Sequence, residues 1–163
     1  ADFSSRGPCE DGRIKPDVVA PGTWIASLRS IYANDDYAWW PISQEYLYQG
    51  GTSQSGPHVS GAAAVFVQFY RDTHGGATPS PALVKAALIN SATDMDDSVE
   101  TDPVPNNDEG WGRVDLPALI ASARDYDFLD QSILLTNSGV YEQRPATQTY
   151  YIWNRLVVTI VLH

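Results

Sequence analysis

The segment Gly51-Thr52-Ser53-Gln54-Ser55-Gly56-Pro57-His58-Val59-Ser60-Gly61 puts hydroxyl groups between a glycine break and a helix start. Gly50-Gly51 ends a strand-like run, and Val59 to Phe69 is apolar on nearly every side. That pattern predicts a buried helix opening near Ser53 to Gly56, with Pro57 in the first turn, where its missing N–H costs nothing. A serine at this address can act as a nucleophile. The first N–H groups of a helix have no partner within it and its dipole favours negative charge, so an oxyanion formed by attack of Ser53 is stabilised there. The same residues also have a structural reading, in which Ser53 or Ser55 is an N-cap and does no chemistry. The pattern is not a Gly-x-Ser-x-Gly elbow, because position 55 is serine.

Other residues with chemical capacity are weaker candidates. Asp72 and His74 follow the far end of the helix, roughly 25 Å or more from Ser53 at 1.5 Å per residue, so His74 reads as a loop residue. His163 reads as a frayed end, and Cys9 has no mate for an intramolecular disulfide or a cysteine metal cage. Asp94, Asp96, Asp97, Asp102, Asp108 and Glu109 supply hard oxygen ligands of the kind calcium takes, but their spacing is not that of an EF-hand, and a solvated loop is the preferred reading. Arg113 and Asp115 read as pinning a turn.

The elements that must position Ser53 follow from punctuation and period. Phe3 to Pro21 is turn-rich, with one short extended piece at Asp17-Val18-Val19. Trp24 to Leu28 and Tyr46 to Tyr48 have strand composition, separated by a surface insertion, Tyr32 to Pro41. On that insertion Trp39 and Trp40 either line a cleft or pack the insertion onto the body, and packing is preferred. Gly61, Ala62, Ala63 and Ala64 would let the buried helix approach neighbouring backbone. Ser80-Pro81 is an N-cap followed by Pro at the first helical position, opening a helix with Leu83, Ala87 and Leu88 on one face. Gly110-Trp111-Gly112 is a turn with an expected buried Trp, and Leu116 to Arg124 is a short helix. Beyond about Asp130, Ser132 to Thr136, Gln148 to Trp153 and Leu156 to Leu162 read as strands. A boundary near 126 to 131 divides the chain into residues 1–126 and a β-rich part, 127–163.

Composition bounds the function. The chain has 163 residues, 20 acidic against 10 basic side chains, a net charge of -10 and 43% apolar residues. That is enough aromatic and apolar material for a folded domain. Its two lysines, Lys15 and Lys85, and its scattered arginines form no basic patch, which argues against nucleic acid or an anionic membrane surface as partner. The longest apolar stretch, around Ala62 to Val67, is far shorter than the roughly 20 residues that cross a bilayer.

The residues around Ser53 resemble the subtilisin-like serine proteases, whose nucleophile motif is Gly-Thr-Ser followed by a Pro-His-Val-x-Gly helix. Upstream, Phe3-Ser4-Ser5-Arg6-Gly7-Pro8 and Gly12-Arg13-Ile14-Lys15-Pro16-Asp17-Val18-Val19-Ala20-Pro21-Gly22-Thr23 look like the stretch that leads into that nucleophile. Downstream, Val84-Lys85-Ala86-Ala87-Leu88 and Gly110-Trp111-Gly112-Arg113-Val114-Asp115 look like the later helix and closing turn. The ending followed by strands is most similar to secreted alkaline bacterial subtilases with a β-sandwich after the protease domain. The resemblance implies an α/β fold: part of a parallel subtilisin-like sheet, a buried nucleophile helix, and the start of a β-sandwich.

By the same resemblance Ser53 is the catalytic nucleophile and its N–H one arm of the oxyanion hole, while the Thr52 hydroxyl braces that hole. Gln54 stands where many members have Met, and a Gln cannot become a sulfoxide, so oxidative inactivation through this position is expected to be absent. Gly56 departs from the usual Ser or Thr. His58 matches a position that packs under the site and is not the catalytic His. The resemblance implies peptide or protein substrates, no cofactor for catalysis, a possible structural calcium ion and an extracellular location. The family order is Asp, His, Ser, and its Asp motif, His motif and oxyanion Asn lie further upstream than the 52 residues that precede Ser53. Both ends of the chain read as cuts through structure. The chain alone is therefore expected to be inactive, with the N-terminal half of the protease domain as its missing partner. The alternatives are a non-catalytic binding or structural fragment on this scaffold, and a nicked enzyme whose halves stay docked.

Overall fold

The computed structural model describes residues 1–32, 39–95, 103–120, 126–129 and 159–162. The chain contains both helices and strands, as expected of an α/β chain, in the order three strands, three helices, two strands, and two units are distinguishable, Ala1–Ala62 with Thr93–Val114 and Ala63–Ala92 with Asp115–His163.

Three strands of the first unit precede the Ser53 segment: β1 (Ile25–Leu28), β2 (Trp40–Pro41) and β3 (Tyr46–Gln49). Tyr-Leu-Tyr-Gln in β3 suits a pleated surface, and this strand takes the centre, antiparallel to both neighbours. Its register sets Ile25 opposite Gln49 and Trp40 opposite Tyr48. The expected Asp17–Val19 extension is present as single-residue pairings. The Val19 N–H donates to the Gly112 carbonyl at 3.0 Å, the Val114 N–H to the Val19 carbonyl at 3.0 Å, and Arg113 exchanges two 2.8 Å bonds with Thr93. Among the described residues, the Val19–Arg113 bridge is the one parallel pairing. The Gly110-Trp111-Gly112 turn forms as read, but Trp111 is 43% exposed and not buried. Flanking glycines in the left-handed region and a 2.9 Å bond from the Trp111 N–H to the Asp17 carbonyl fix the backbone without using the ring.

Helix α1 (Thr52–Thr73) is longer than its apolar run and starts at Thr52, so Pro57 lies inside it and not in its first turn. Proline supplies no N–H to the carbonyl four residues back, which belongs to Ser53. Its burial is one-sided: Ala62, Phe66 and Tyr70 are buried at a spacing of four, while Gly61 and Ala64 are exposed and Val65 is 39% exposed. The expected burial on every side is not found, because the chain supplies packing partners to a single stripe of the helix.

In the second unit, α2 (Pro81–Asn90) begins as the sequence predicts. The Ser80 hydroxyl accepts the Leu83 N–H at 3.1 Å, Pro81 occupies the first turn, and Leu83, Ala87 and Leu88 are buried. Helix α3 (Leu116–Ile120) opens on Asp115, whose carboxylate accepts the Ala118 N–H at 2.9 Å, and it buries Leu119. The rest of the predicted helix, 121–124, lies outside the described residues. Among the described residues, Phe66, Leu83 and Leu119 are the largest fully buried side chains, and all three belong to this unit. Strands β4 (Tyr126–Leu129) and β5 (Thr159–Leu162) pair antiparallel. β5 falls within the predicted Leu156–Leu162 run, whereas β4 had no counterpart in the sequence reading. The strands predicted at 132–136 and 148–153 lie outside the described residues.

Candidate active site

The turn between β3 and α1 is held by backbone. Gly51 has φ +143°, in a region that favours glycine, and its N–H donates to the Gly22 carbonyl at 2.8 Å. Its own carbonyl accepts the Gln54 N–H at 3.1 Å and the Ser55 N–H at 3.3 Å, which closes the first turn of α1. The Ser55 hydroxyl turns back onto the same carbonyl at 3.5 Å. Gly51 therefore occupies the capping position, and Ser53 is not the N-cap.

Ser53 and Thr52 are exposed in that first turn. Among the described residues, neither the Ser53 hydroxyl nor the N–H groups of Thr52 and Ser53 have a hydrogen-bond partner. A hydroxyl and two unpaired N–H groups thus meet solvent at the positive end of a 22-residue helix. Gln54 is half-buried and donates from Nε2 to Gln49 Oε1 at 3.0 Å, tying the end of β3 to the first turn of α1.

A cleft of about 370 Å³ opens beside this turn, and Phe3, Gly22, Thr52, Ser55, Glu109 and Arg113 are among the residues lining it. Glu109 is 3% exposed; its carboxylate accepts the Met95 N–H at 3.2 Å and Asn106 Nδ2 at 3.4 Å. Arg6 pairs with Asp108 at 2.6 Å. Arg113 pins the turn through its backbone, as expected, while its side chain is exposed. Asp115 instead caps α3.

His163 lies outside the described residues, and neither His58 nor His74 approaches Ser53. His58 donates from Nδ1 to the Gln54 carbonyl at 2.8 Å and is exposed, in contrast to the expectation that it packs beneath the site. It lies five residues after Ser53, about 140° around the helix. His74 follows the last turn of a helix about 33 Å long, its ring stacked on Tyr70 at 3.9 Å. Of the acidic residues weighed as calcium ligands, Asp96, Asp97 and Asp102 lie outside the described residues. Asp108 and Glu109 already hold the partners given above, and among the described residues no three His, Cys, Asp or Glu side chains converge to hold a metal. Cys9 is a free, half-buried thiol.

Sequence reasoning missed an aromatic cluster. Trp39 packs onto the body, the preferred of its two readings, with its ring edge-to-face to Phe3 at 5.9 Å and to Trp24 at 5.3 Å. Trp24 also meets Tyr48 at 5.9 Å, while Trp40 stays 64% exposed. The Gly50-Gly51 pair was the available signal, since Trp39 lies directly against Gly50.

Residues 1–112 match the peptidase S8 subtilase family. The chain belongs to the subtilase family. It is 34% identical over 135 residues to the serine protease/ABC transporter B family protein tagA of Dictyostelium discoideum, covering 74% of this chain and 7% of that protein. It is 39% identical over 115 residues to the minor extracellular protease Vpr of Bacillus subtilis, covering 69% of this chain and 12% of Vpr. The subtilisin-like protease SBT4.3 of Arabidopsis thaliana is 32% identical over 155 residues, covering 84% of this chain and 20% of its own length. The chain therefore spans a fifth or less of each of these relatives. Among solved structures, the CspB protease of Clostridium perfringens superposes with a TM-score of 0.56 at 28% identity, over 74% of this chain and 22% of that one.

Proposed function

We propose that this chain is the nucleophile-bearing part of a secreted serine endopeptidase. The observation that carries the reading is the Ser53 hydroxyl at the exposed start of α1, beside two N–H groups, all three without a hydrogen-bond partner among the described residues, in a chain of the subtilase family. Ser53 Oγ attacks the carbonyl carbon of a peptide bond while a histidine takes its proton, an aspartate orients that histidine, and the new oxyanion meets the Ser53 N–H. The proton passes to the leaving amine, the acyl-enzyme forms, and water releases it. Thr52 braces the oxyanion site and Gln54 fixes the turn through Gln49.

In this reading the histidine, the aspartate and the oxyanion asparagine come from a segment outside residues 1–163, the N-terminal half of the protease domain. Catalysis takes no cofactor. Residues 1–126 are protease-domain sequence and 127–163 begin a β-rich domain. The substrate is a protein or peptide, and the net charge of -10 disfavours nucleic acid and anionic membranes. The extracellular relative Vpr supports secretion.

The test is covalent. The complete protein is treated with a fluorophosphonate, which reacts with activated serines, and the labelled peptide is sequenced. Label on Ser53, lost together with several orders of magnitude of proteolysis in Ser53→Ala, is the expected result. A second reading, a non-catalytic fragment, draws on the absence of any histidine beside Ser53 among the described residues. Unlabelled Ser53 in the complete protein would establish it.

A further inference from the structure

The rings of Phe3, Trp24, Trp39 and Tyr48 come from four separate segments, and edge-to-face contacts hold them together at 5.3 to 5.9 Å. Locked in this way they are nevertheless open: Trp24 is 56% exposed, Phe3 42% and Trp39 37%. Buried aromatic clusters serve a core, whereas this one presents its apolar area to solvent. Trp24 also sits at φ 54°, a left-handed conformation unfavourable for a bulky side chain. Such outliers gather where a site fixes the direction of a side chain.

The cluster adjoins the nucleophile turn at two points. A Cβ on Gly50 would come within 2.6 Å of Trp39 Cζ3, with two further ring carbons closer still, so the ring lies flush on the backbone three residues before Ser53. Three residues reach at most about 11 Å. In addition, Phe3 lines the same cleft as Thr52. A polypeptide bound in extended form advances about 3.3 Å per residue, so side chains within three positions of the bond cut at Ser53 can reach the rings.

We propose that Trp24 and Trp39, braced by Phe3, form a subsite for an apolar or aromatic side chain of the polypeptide substrate, close to the cleaved bond. This rests on Ser53 being the nucleophile. The Gln49–Gln54 amide pair beside the turn is neutral, and of the charged residues lining the cleft shared by Phe3 and Thr52, Arg6 and Asp108 are paired with each other, so the apolar rings and not a lone charge dominate this end of it. Trp24 and Trp39 are the residues that set the preference.

The experiment uses the complete protein and a peptide mixture varied at the three positions on each side of the cut. The readout is the ratio of kcat/KM for peptides carrying Phe or Leu to that for peptides carrying Gly at the same position. Trp24→Gly suits a left-handed backbone and removes the ring; Trp39→Leu removes the second ring. Each should lower the ratio about tenfold, mainly through KM, and Trp24→Phe should restore most of it. An unchanged ratio overturns the proposal, as does a preference for Lys or Arg that disappears in Trp24→Gly. A second readout needs no turnover: in Ser53→Ala, a Phe-bearing peptide should shift the tryptophan emission while a Gly-bearing one does not. Absence of that shift also overturns the subsite. Fluorophosphonate labelling of Ser53 reports separately on the nucleophile, so the two readings fail by different signals.

Discussion

Gly51 donates its N–H to the Gly22 carbonyl at 2.8 Å, and this bond fastens the turn that carries Ser53 to the Pro21-Gly22 segment. The approach is close enough to exclude a side chain. A Cβ on Gly22 would fall onto the Ser55 hydroxyl and 2.8 Å from the Gly51 carbonyl oxygen, which is backbone and cannot swing away. Gly22→Ala should therefore cost about 1–3 kcal/mol by chemical denaturation and slow fluorophosphonate labelling of Ser53 in the complete protein. Unaltered stability and labelling would show that the two glycines separate without consequence.

The cap on α2 is separable from the site. Ser80 accepts the Leu83 N–H at 3.1 Å and sets the first turn that buries Leu83. Ser80→Ala should lower stability by about 1 kcal/mol, and Ser80→Asp should recover most of it because a carboxylate also caps and suits the helix dipole. Thermal melts of the three proteins decide it, and equal melting points would remove the cap from the account.

These two features were unequally legible in the sequence. Ser80-Pro81 is a local signal, since cap and fixed φ act within one turn, and α2 begins where it says. Pro57 was a local signal that misled: a first-turn preference placed the helix start too late, whereas the φ of Gly51 and its doubly accepting carbonyl start α1 at Thr52. The placing of Ser53 at a helix start was readable because it depends on a contiguous stretch of chain. Gly22 and the aromatic cluster were not, because each is made by contacts between residues far apart in sequence. Trp111 shows the same limit in reverse: its turn was legible and its exposure was not, because burial depends on what packs against the ring.

Asp11 offers a pH-dependent test away from the site. Arg13 Nε donates to Asp11 Oδ2 at 2.7 Å and the Arg13 N–H to Oδ1 at 3.2 Å, and these bonds hold the exposed carboxyl below its ordinary value of 3.8. A carboxyl depressed in the folded state contributes stability above its unfolded pKa, and the contribution is lost as pH falls through the folded value. An NMR titration of Asp11 should give a midpoint below 3.8, and Arg13→Ala should move it up only part of the way, since the backbone donor at position 13 remains. A midpoint at the ordinary value with Arg13 present would show the pair to be unformed in solution, as many exposed pairs are.

Gln54 links two predictions, one on stability and one on oxidation. Its Nε2 donates to Gln49 Oε1 at 3.0 Å in a half-buried position, so Gln54→Met removes that bond and should cost about 0.5–1.5 kcal/mol. It also puts a thioether next to Ser53, where peroxide adds an oxygen and turns an apolar group polar. The complete Gln54→Met protein should therefore lose activity on peroxide treatment as position 54 gains oxygen. The parent chain has a built-in control, because its single methionine, Met95, is 49% exposed and lines the cleft that Thr52 reaches. Peroxide should oxidise Met95 in the parent while activity persists, which mass spectrometry and a peptide assay on the same sample will show. If parent activity instead declines in step with Met95 oxidation, the cleft and not position 54 is the oxidation-sensitive part of the site.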